Sequence, residues 1–321
     1  MSAGFLSQMA QSSRTRAALA RRELPESALI EHARMVPPAP SLTLHPDGFD
    51  VIAEMKLRSP AAGQLRVAAD EDVGARVCAY AAAGAAAVSV LTEPSHFDGA
   101  LVHLEVAVAA LRPQQVPAMR KDFLVDPYQV WEARAAGAGG VLLIIRMLSR
   151  PQLWELYEAA RTAGLWVLLE AFDEADLEAA DELAGHGQAG AASGPEHGHA
   201  GAMSAPEHGR AGPAPFGAVS QPPALEVRLP QLLVGVNCRD LTTLQVVPER
   251  LLQLAPFLPA GVPRVAESGV GTAQDARRVA AAGYDLALVG SALMTGADPG
   301  ALTRAMLASG RAGRREPGRR P

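Results

Sequence analysis

The sequence predicts a closed (β/α)8 barrel, and three observations carry that prediction. Eight short apolar runs recur along the chain, each followed by a segment with helical periodicity. The runs are apolar almost throughout, as suits parallel strands covered by helices. Several helical segments end at a glycine (Gly84, Gly137, Gly164 and Gly283), where a helix commonly turns into the left-handed conformation. Eight strand–helix units in alternation point to closure more than to an open sheet.

The expected strands are FDVIAEM (49–55), AAVSVLT (86–92), VPAMR (116–120), GGVLLII (139–145), LWVLLE (165–170), LLVGVN (232–237), VPRVAE (262–267) and DLALVG (285–290). The expected helices cover about 70–82, 101–111, 126–136, 150–162, 173–184, 248–258, 271–282 and 299–308. Residues 1–48 precede the barrel. They read as helical over about 3–22 and Pro-rich after that, which predicts an N-terminal helical extension over one end of the barrel. The barrel proper spans 49–308, and the Arg-rich, Gly/Pro-broken end, 309–321, reads as a flexible tail.

From Gly185 to Pro223 the chain is almost all Gly, Ala, Pro, Ser and His, too poor in apolar surface to fold alone. This disordered insertion falls before strand six, on the side of a barrel away from the chemistry. It holds His186, His197, His199 and His208, four of the eight histidines. A metal-binding tract is the weaker reading, because the near-repeated PEHG at 195–198 and 206–209 suggests a duplicated stretch of sequence.

Composition narrows the classes of function. The net charge is −5 and no basic stripe occurs outside the tail, which argues against general nucleic-acid binding. No apolar run approaches the roughly 18 residues of a membrane span, and the first residues lack the apolar core of a secretion signal. The two cysteines, Cys78 and Cys238, make neither a disulfide framework nor a zinc site. The expectation is a cytoplasmic protein without metal, membrane or nucleic-acid partner.

Polar residues collect where the strands end. Glu54 and Lys56 end strand one, Lys121 strand three, Glu170 strand five, Asn237 and Arg239 strand six, and Glu267 and Ser268 strand seven. In a barrel these ends converge on one mouth. Surface charge explains any one of them, but the whole set is a costly way to build a core. Glu54 and Lys56 are two residues apart, as are Asn237 and Arg239, so each pair lies on one side of an extended strand. The glycines and serines of ESGVG (267–271) and VGSA (289–292) offer backbone N–H groups for a phosphate beside strands seven and eight.

The use of lysine is the sharpest signal. Of 29 basic residues only Lys56 and Lys121 are lysines. Arg is permanently protonated, whereas a Lys can give up its proton in a tuned environment. Proton transfer is therefore expected at Lys121, with Lys56 supplying charge to an anionic group of the substrate.

Taken in order, VIAEMKLRSP, SVLTEPSHFDG, MRKDFLVDPYQVWEARAAGA, GVNCRDLTTLQV, VAESGV and LVGSALM resemble the indole-3-glycerol-phosphate synthase family of tryptophan biosynthesis. The resemblance covers about 49–184 and 231–308. It implies a cofactor-free barrel that closes the indole ring of 1-(2-carboxyphenylamino)-1-deoxyribulose 5-phosphate, losing carbon dioxide and water. By resemblance, Lys121 is the general acid, Lys56 meets the anthranilate carboxylate, and Glu170 stabilises developing positive charge and takes part in dehydration. Glu54 would organise Lys121 or accept a proton. Asn237 and Arg239 would orient the substrate, with Glu267 and Ser268 near the sugar. Ser59, Gly269, Gly290 and Ser291 would hold phosphate, and Phe97 and Leu142 would wall the aromatic ring. The resemblance implies a monomer, with other enzymes of the pathway as candidate partners. Three positions depart from the family pattern: Ala61 stands for Ser, Phe172 for His and Cys238 for Asn. Two rival readings are a phosphoribosylanthranilate-type isomerase and a non-catalytic phosphate-binding barrel.

Overall fold

Eight parallel strands close on themselves: β1 (Asp50–Met55), β2 (Ala87–Leu91), β3 (Ala118–Lys121), β4 (Gly140–Ile144), β5 (Trp166–Ala171), β6 (Leu232–Asn237), β7 (Arg264–Glu267) and β8 (Leu286–Val289). Each pairs with its sequence neighbours, and β8 returns to β1, with Ala53 opposite Val289. The computed structural model describes residues 4–45, 48–60, 62–67, 71–192, 232–240 and 243–315. Register sets the mouth: Leu91 pairs with Lys121, Ile144 with Glu170, Glu170 with Gly235, and Asn237 with Glu267. The polar strand ends therefore gather at one end of the barrel.

The outer ring consists of the helices Val73–Ala82, Leu101–Leu111, Pro127–Ala135, Arg150–Thr162, Glu174–Ala192, Glu249–Leu254, Ala273–Ala281 and Pro299–Arg314. Their starts are chemically marked. Asp72, Asp126 and Asp298 accept first-turn N–H bonds, while Ser149/Gln152 and Thr272/Asp275 form reciprocal capping boxes. Inside the strands, Ile52, Met119, Leu142, Trp166, Leu168 and Leu286 belong to one buried cluster. A second, larger cluster fills the space between strands and helices. Each of these apolar side chains contributes roughly 1.5–3 kcal/mol when fully buried.

Three expectations need correction. The segment after about residue 22 is not simply Pro-rich, because a second N-terminal helix, α2 (Glu26–Met35), follows α1 (Phe5–Glu23). Leu29 and Ala33, one turn apart, give α2 a buried stripe that packs on Pro127–Ala135. The helix expected over 173–184 continues to Ala192, so the first part of the low-complexity tract is helical. The rest of that insertion, with His197, His199 and His208, lies outside the described residues. The last helix runs to Arg314, where a flexible tail was expected from 309.

The N-terminal rim of the barrel is closed by charge. Arg311 Nη2 lies 3.2 Å from Asp50 Oδ1, and Arg314 pairs with Asp285. Main-chain donors complete both acids: His45 N–H donates to Asp50 Oδ2 at 2.6 Å and Arg264 N–H to Asp285 Oδ2 at 2.9 Å. At the opposite end α1 lies beside the mouth, with Met9 in the same buried cluster as Phe123 and Leu142. A two-stranded antiparallel ribbon, 58–59 against 63–64, forms part of the first loop of the mouth.

Candidate active site

Glu54 and Lys56 emerge together from β1, as their spacing requires. Lys56 Nζ stands 2.5 Å from Glu54 Oε1, and both side chains are largely buried. The backbone of Gly290, after β8, passes so close that a Cβ there would collide with the Glu54 carboxylate and the Lys56 ammonium. Glycine at 290 is what leaves room for this pair.

Lys121, at the end of β3, reaches across the mouth. Its Nζ donates to Glu170 Oε2 of β5 at 3.0 Å and to Glu267 Oε2 of β7 at 3.3 Å. The direct partners of Lys121 are therefore these two glutamates, while Glu54 is paired with Lys56. Gly235 of β6 lies between the two acid-bearing strands, and a Cβ there would strike the Glu267 carboxyl. The second oxygen of Glu267, Oε1, is buried and has no hydrogen-bond partner among the described residues.

Electrostatics separates the three charged centres. Burial alone would lower the Lys121 ammonium, but Glu170, Glu267 and Glu54 outweigh it and hold Lys121 above its ordinary range. Burial raises Glu54, yet Lys56, Lys121 and Arg239 outweigh that and keep it below the usual carboxylate range. Glu267 goes the other way. Burial drives its pKa well up, Lys121 opposes, and the like charge of Glu170 adds to the rise. The mouth thus combines a firm cation, an ionised acid and a carboxyl poised to keep its proton.

The remaining predicted residues surround this centre. Asn237 Oδ1 accepts the Arg239 N–H at 3.0 Å, and Arg239 Nη1 donates to Leu244 O at 2.9 Å, which fixes the guanidinium beside the cavity. Ser268 and Gly269 are consecutive left-handed residues, with φ of 63° and 68°. Such a conformation is uncommon for serine, and strained backbone of this kind clusters at functional sites. The N–H groups of Gly271 and Thr272 are engaged by Asp275 Oδ2 at 3.1 and 3.0 Å, so they serve the helix cap. Gly290 and Ser291 lead into the short helix Ser291–Thr295. Ser59 is buried on the ribbon of the first loop, while Phe97 and Leu142 face the same space from β2's loop and β4.

All these residues line one cavity of about 490 Å³: Glu54, Lys56, Ser59, Phe97, Lys121, Leu142, Glu170, Asn237, Arg239, Glu267, Ser268, Gly269, Gly290 and Ser291. Sequence reasoning missed other parts of its wall. Phe5 and Leu6 come from α1, and Phe123 follows Lys121 by two residues. Phe5 packs edge-on against Phe123 at 5.9 Å between ring centroids, and Phe97 lies 6.1 Å from Phe123. The nearest sequence signal was Phe123 itself, an aromatic beside the candidate acid. Of the departures from the family pattern, Phe172 is buried beneath the Arg146 guanidinium at 4.5 Å and does not line the cavity. Cys238 is buried under Gly269, and burial pushes its thiol up to about 11. Ala61 lies outside the described residues.

A closed barrel with buried ammonium and carboxylate groups gathered at the C-terminal ends of its strands has the form of a (β/α)8 enzyme. The chain belongs to the indole-3-glycerol phosphate synthase family, whose family model matches residues 10–186 and 223–306. It is 38% identical over 284 residues to the indole-3-glycerol phosphate synthase of Parafrankia sp. (strain EAN1pec), covering 88% of this chain and 87% of that one. It is 36% identical to indole-3-glycerol phosphate synthase 1 of Streptomyces coelicolor, covering 92% of each. Among solved structures it resembles 3-hexulose-6-phosphate synthase from Salmonella typhimurium, with a TM-score of 0.52 and 11% identity, covering 82% of this chain and 99% of that one. That likeness concerns the fold alone. Among the described residues no helix is long and apolar enough to cross a membrane.

Proposed function

We propose that the chain converts 1-(2-carboxyphenylamino)-1-deoxyribulose 5-phosphate to indole-3-glycerol phosphate, releasing carbon dioxide and water. The observation that carries this reading is Lys121, held between Glu170 and Glu267 across the cavity from the Glu54–Lys56 pair. Attack of the ring carbon on the ketone develops negative charge on the carbonyl oxygen. A buried ammonium pointing at that oxygen stabilises the charge and donates its proton. Glutamates hold Lys121 strongly protonated, so the proton moves only once a base as strong as an alkoxide has formed.

Lys56 meets the carboxylate of the aromatic ring until it departs as carbon dioxide. Decarboxylation restores the electron pair to the ring system. Dehydration then needs an acid at the leaving hydroxyl and a base at the ring proton. Glu170, beside Lys121, is placed to be that base and to face the developing cation. Glu267, poised to keep a proton, sits near the sugar with Ser268. Phosphate would rest on the backbone of Ser268–Gly269 and Gly290–Ser291 with help from Ser59, and Asn237 and Arg239 would orient the hydroxyls. Phe97, Leu142, Phe123 and Phe5 supply the apolar wall for the ring. Closure of the first loop would exclude water during the reaction.

The test is turnover of the carboxyphenylamino substrate, followed by the rise of indole absorbance and fluorescence, with phosphoribosylanthranilate supplied in a parallel reaction. Indole formation from the first and no consumption of the second is the expected result. Consumption of the second alone would favour the isomerase reading, and no turnover of either the binding-only barrel.

A further inference from the structure

In the wall of the cavity, on the side facing the N-terminal extension, lies a buried ion cluster that the proposed chemistry does not use. Its centre is Asp122, the residue after Lys121, whose side chain is wholly inaccessible. Asp122 Oδ1 accepts from Arg16 Nη2 at 2.7 Å and from Phe123 N–H at 2.8 Å. Its Oδ2 accepts from Arg16 Nη1 at 2.9 Å, Thr92 Oγ1 at 2.7 Å and Arg120 Nη2 at 3.2 Å. Five donors saturate a carboxylate. Burial raises the Asp122 carboxyl, but Arg16, Arg120 and Thr92 outweigh it and hold it down to about 2.

These bonds clamp the main chain on both sides of Lys121. Thr92, which donates its hydroxyl to Asp122, also donates its N–H to Lys121 O at 3.1 Å. Ser13 of α1 donates to Phe123 O, and Gln129 Nε2 donates to Ser13 Oγ at 2.8 Å. Arg120, Thr92 and Phe123 belong to the barrel. The bidentate fork of Arg16 comes from α1 in the N-terminal extension. Without it a buried carboxylate next to Lys121 would lose its best-aligned cation, and a carboxylate left short of partners moves toward other donors. Lys121 is the nearest ammonium along the chain.

We propose that Arg16 is a positioning residue for catalysis: by engaging Asp122 it fixes the β3 end so that the Lys121 ammonium points across the cavity to Glu170 and Glu267. This rests on the reading of Lys121 as the acid. Through Arg16 the N-terminal extension thus supplies a part of the catalytic geometry by a side chain that does not itself touch the substrate.

The experiment compares full-length wild type, Arg16→Ala, Arg16→Lys and Arg21→Ala, assayed for indole formation well below their unfolding temperatures. Arg21 also ties α1 to the barrel, through Asp126 at 2.6 Å, and controls for simple docking of the helix. Misplacing a reacting group by an ångström costs on the order of a hundredfold. Arg16→Ala is therefore expected to lose at least about tenfold in kcat with KM changed less than about threefold. Methylguanidine should restore part of that loss. Arg16→Lys, which keeps the charge but not the fork, should fall between, and Arg21→Ala should keep its kcat.

A second readout needs no turnover. The chain has only two lysines, so ¹⁵N-lysine labelling gives two ammonium signals, assigned with Lys56→Arg. The Lys121 signal should move in Arg16→Ala and stay in place in Arg21→Ala. Unchanged kcat and an unmoved Lys121 signal in folded Arg16→Ala would overturn the proposal, as would equal effects in Arg21→Ala. If Arg16→Ala does not fold, Arg16→Lys decides by the same two readouts. A wild type that makes no indole would sink the proposed reaction, and the lysine signals would still decide the role of Arg16.

Discussion

At the N-terminal rim, Asp50 and Asp285 each accept a main-chain N–H and an arginine of the last helix. At the mouth, among the described residues, Lys121 pairs with carboxylates of two other strands, Glu54 pairs with Lys56, and Glu267 Oε1 has no hydrogen-bond partner. Both ends bury charge, but they leave it in different states. The rim spends its charges on fixed backbone donors, so they are part of the frame. The mouth arranges side chains around a cavity, and a substrate group can replace any of those partners. Glycines at 235 and 290 make the same distinction, because each keeps space for a carboxylate that a side chain would fill.

The largest effect that would break this comparison is expected at Glu170. Glu170→Gln keeps the shape and a hydrogen bond to Lys121 but removes the proposed base. Its kcat should fall by about 10²–10⁴-fold, typical of a lost general acid or base, while the protein stays folded. A variant retaining most of its turnover would place Glu170 with the frame. Asp50→Ala, at the rim, should do the reverse: stability falls by about 1–3 kcal/mol, as Arg311 and the His45 N–H lose their acceptor, and kcat is unchanged. Denaturant unfolding and turnover on the same sample read both.

The smallest effect concerns Glu267 and has a defined sign. Its pKa is raised in the folded chain, so the folded state holds a proton that the unfolded state releases above the ordinary glutamate range. Stability attached to this group is therefore full at low pH and is lost as pH rises toward the folded value. Glu267→Gln removes that loss. Above the ordinary glutamate range the variant should be more stable than wild type, by a margin that grows with pH, while turning over more slowly. A drop in stability would place Glu267 with the rim acids.

Much of this arrangement was legible in the sequence, for reasons visible at particular residues. Parallel strands covered on both faces must be apolar, so all eight strands could be located. The run at 262–267 starts late, at Arg264, because Pro263 has no N–H for the ladder. The two-residue spacing of Glu54 and Lys56 put them on one side of β1, and they meet there. Two helices run further than expected: Glu174–Ala192 enters a stretch too poor in apolar surface to fold alone, and the last helix enters the Gly/Pro-broken tail. Gly310 and Gly313 in fact let the last helix pack tightly, against the Phe49 ring and the Arg277 backbone. Helix α2 was hidden by prolines on both sides, although Pro25 stands at its start, where its missing N–H costs little. The contributions of Phe5 and Arg16 were not legible. They meet Phe123 and Asp122 only through the tertiary docking of α1, and no local periodicity encodes that contact.

The role proposed for Lys121 is proton transfer, not the supply of charge alone. The most direct measurement is kcat for indole formation by Lys121→Arg beside wild type. Arg keeps the positive charge and can still reach Glu170, but it does not readily release a proton. A fall of about 10²-fold or more, with the fold intact, is the predicted result. Near-wild-type turnover would contradict it and reduce Lys121 to a fixed positive charge.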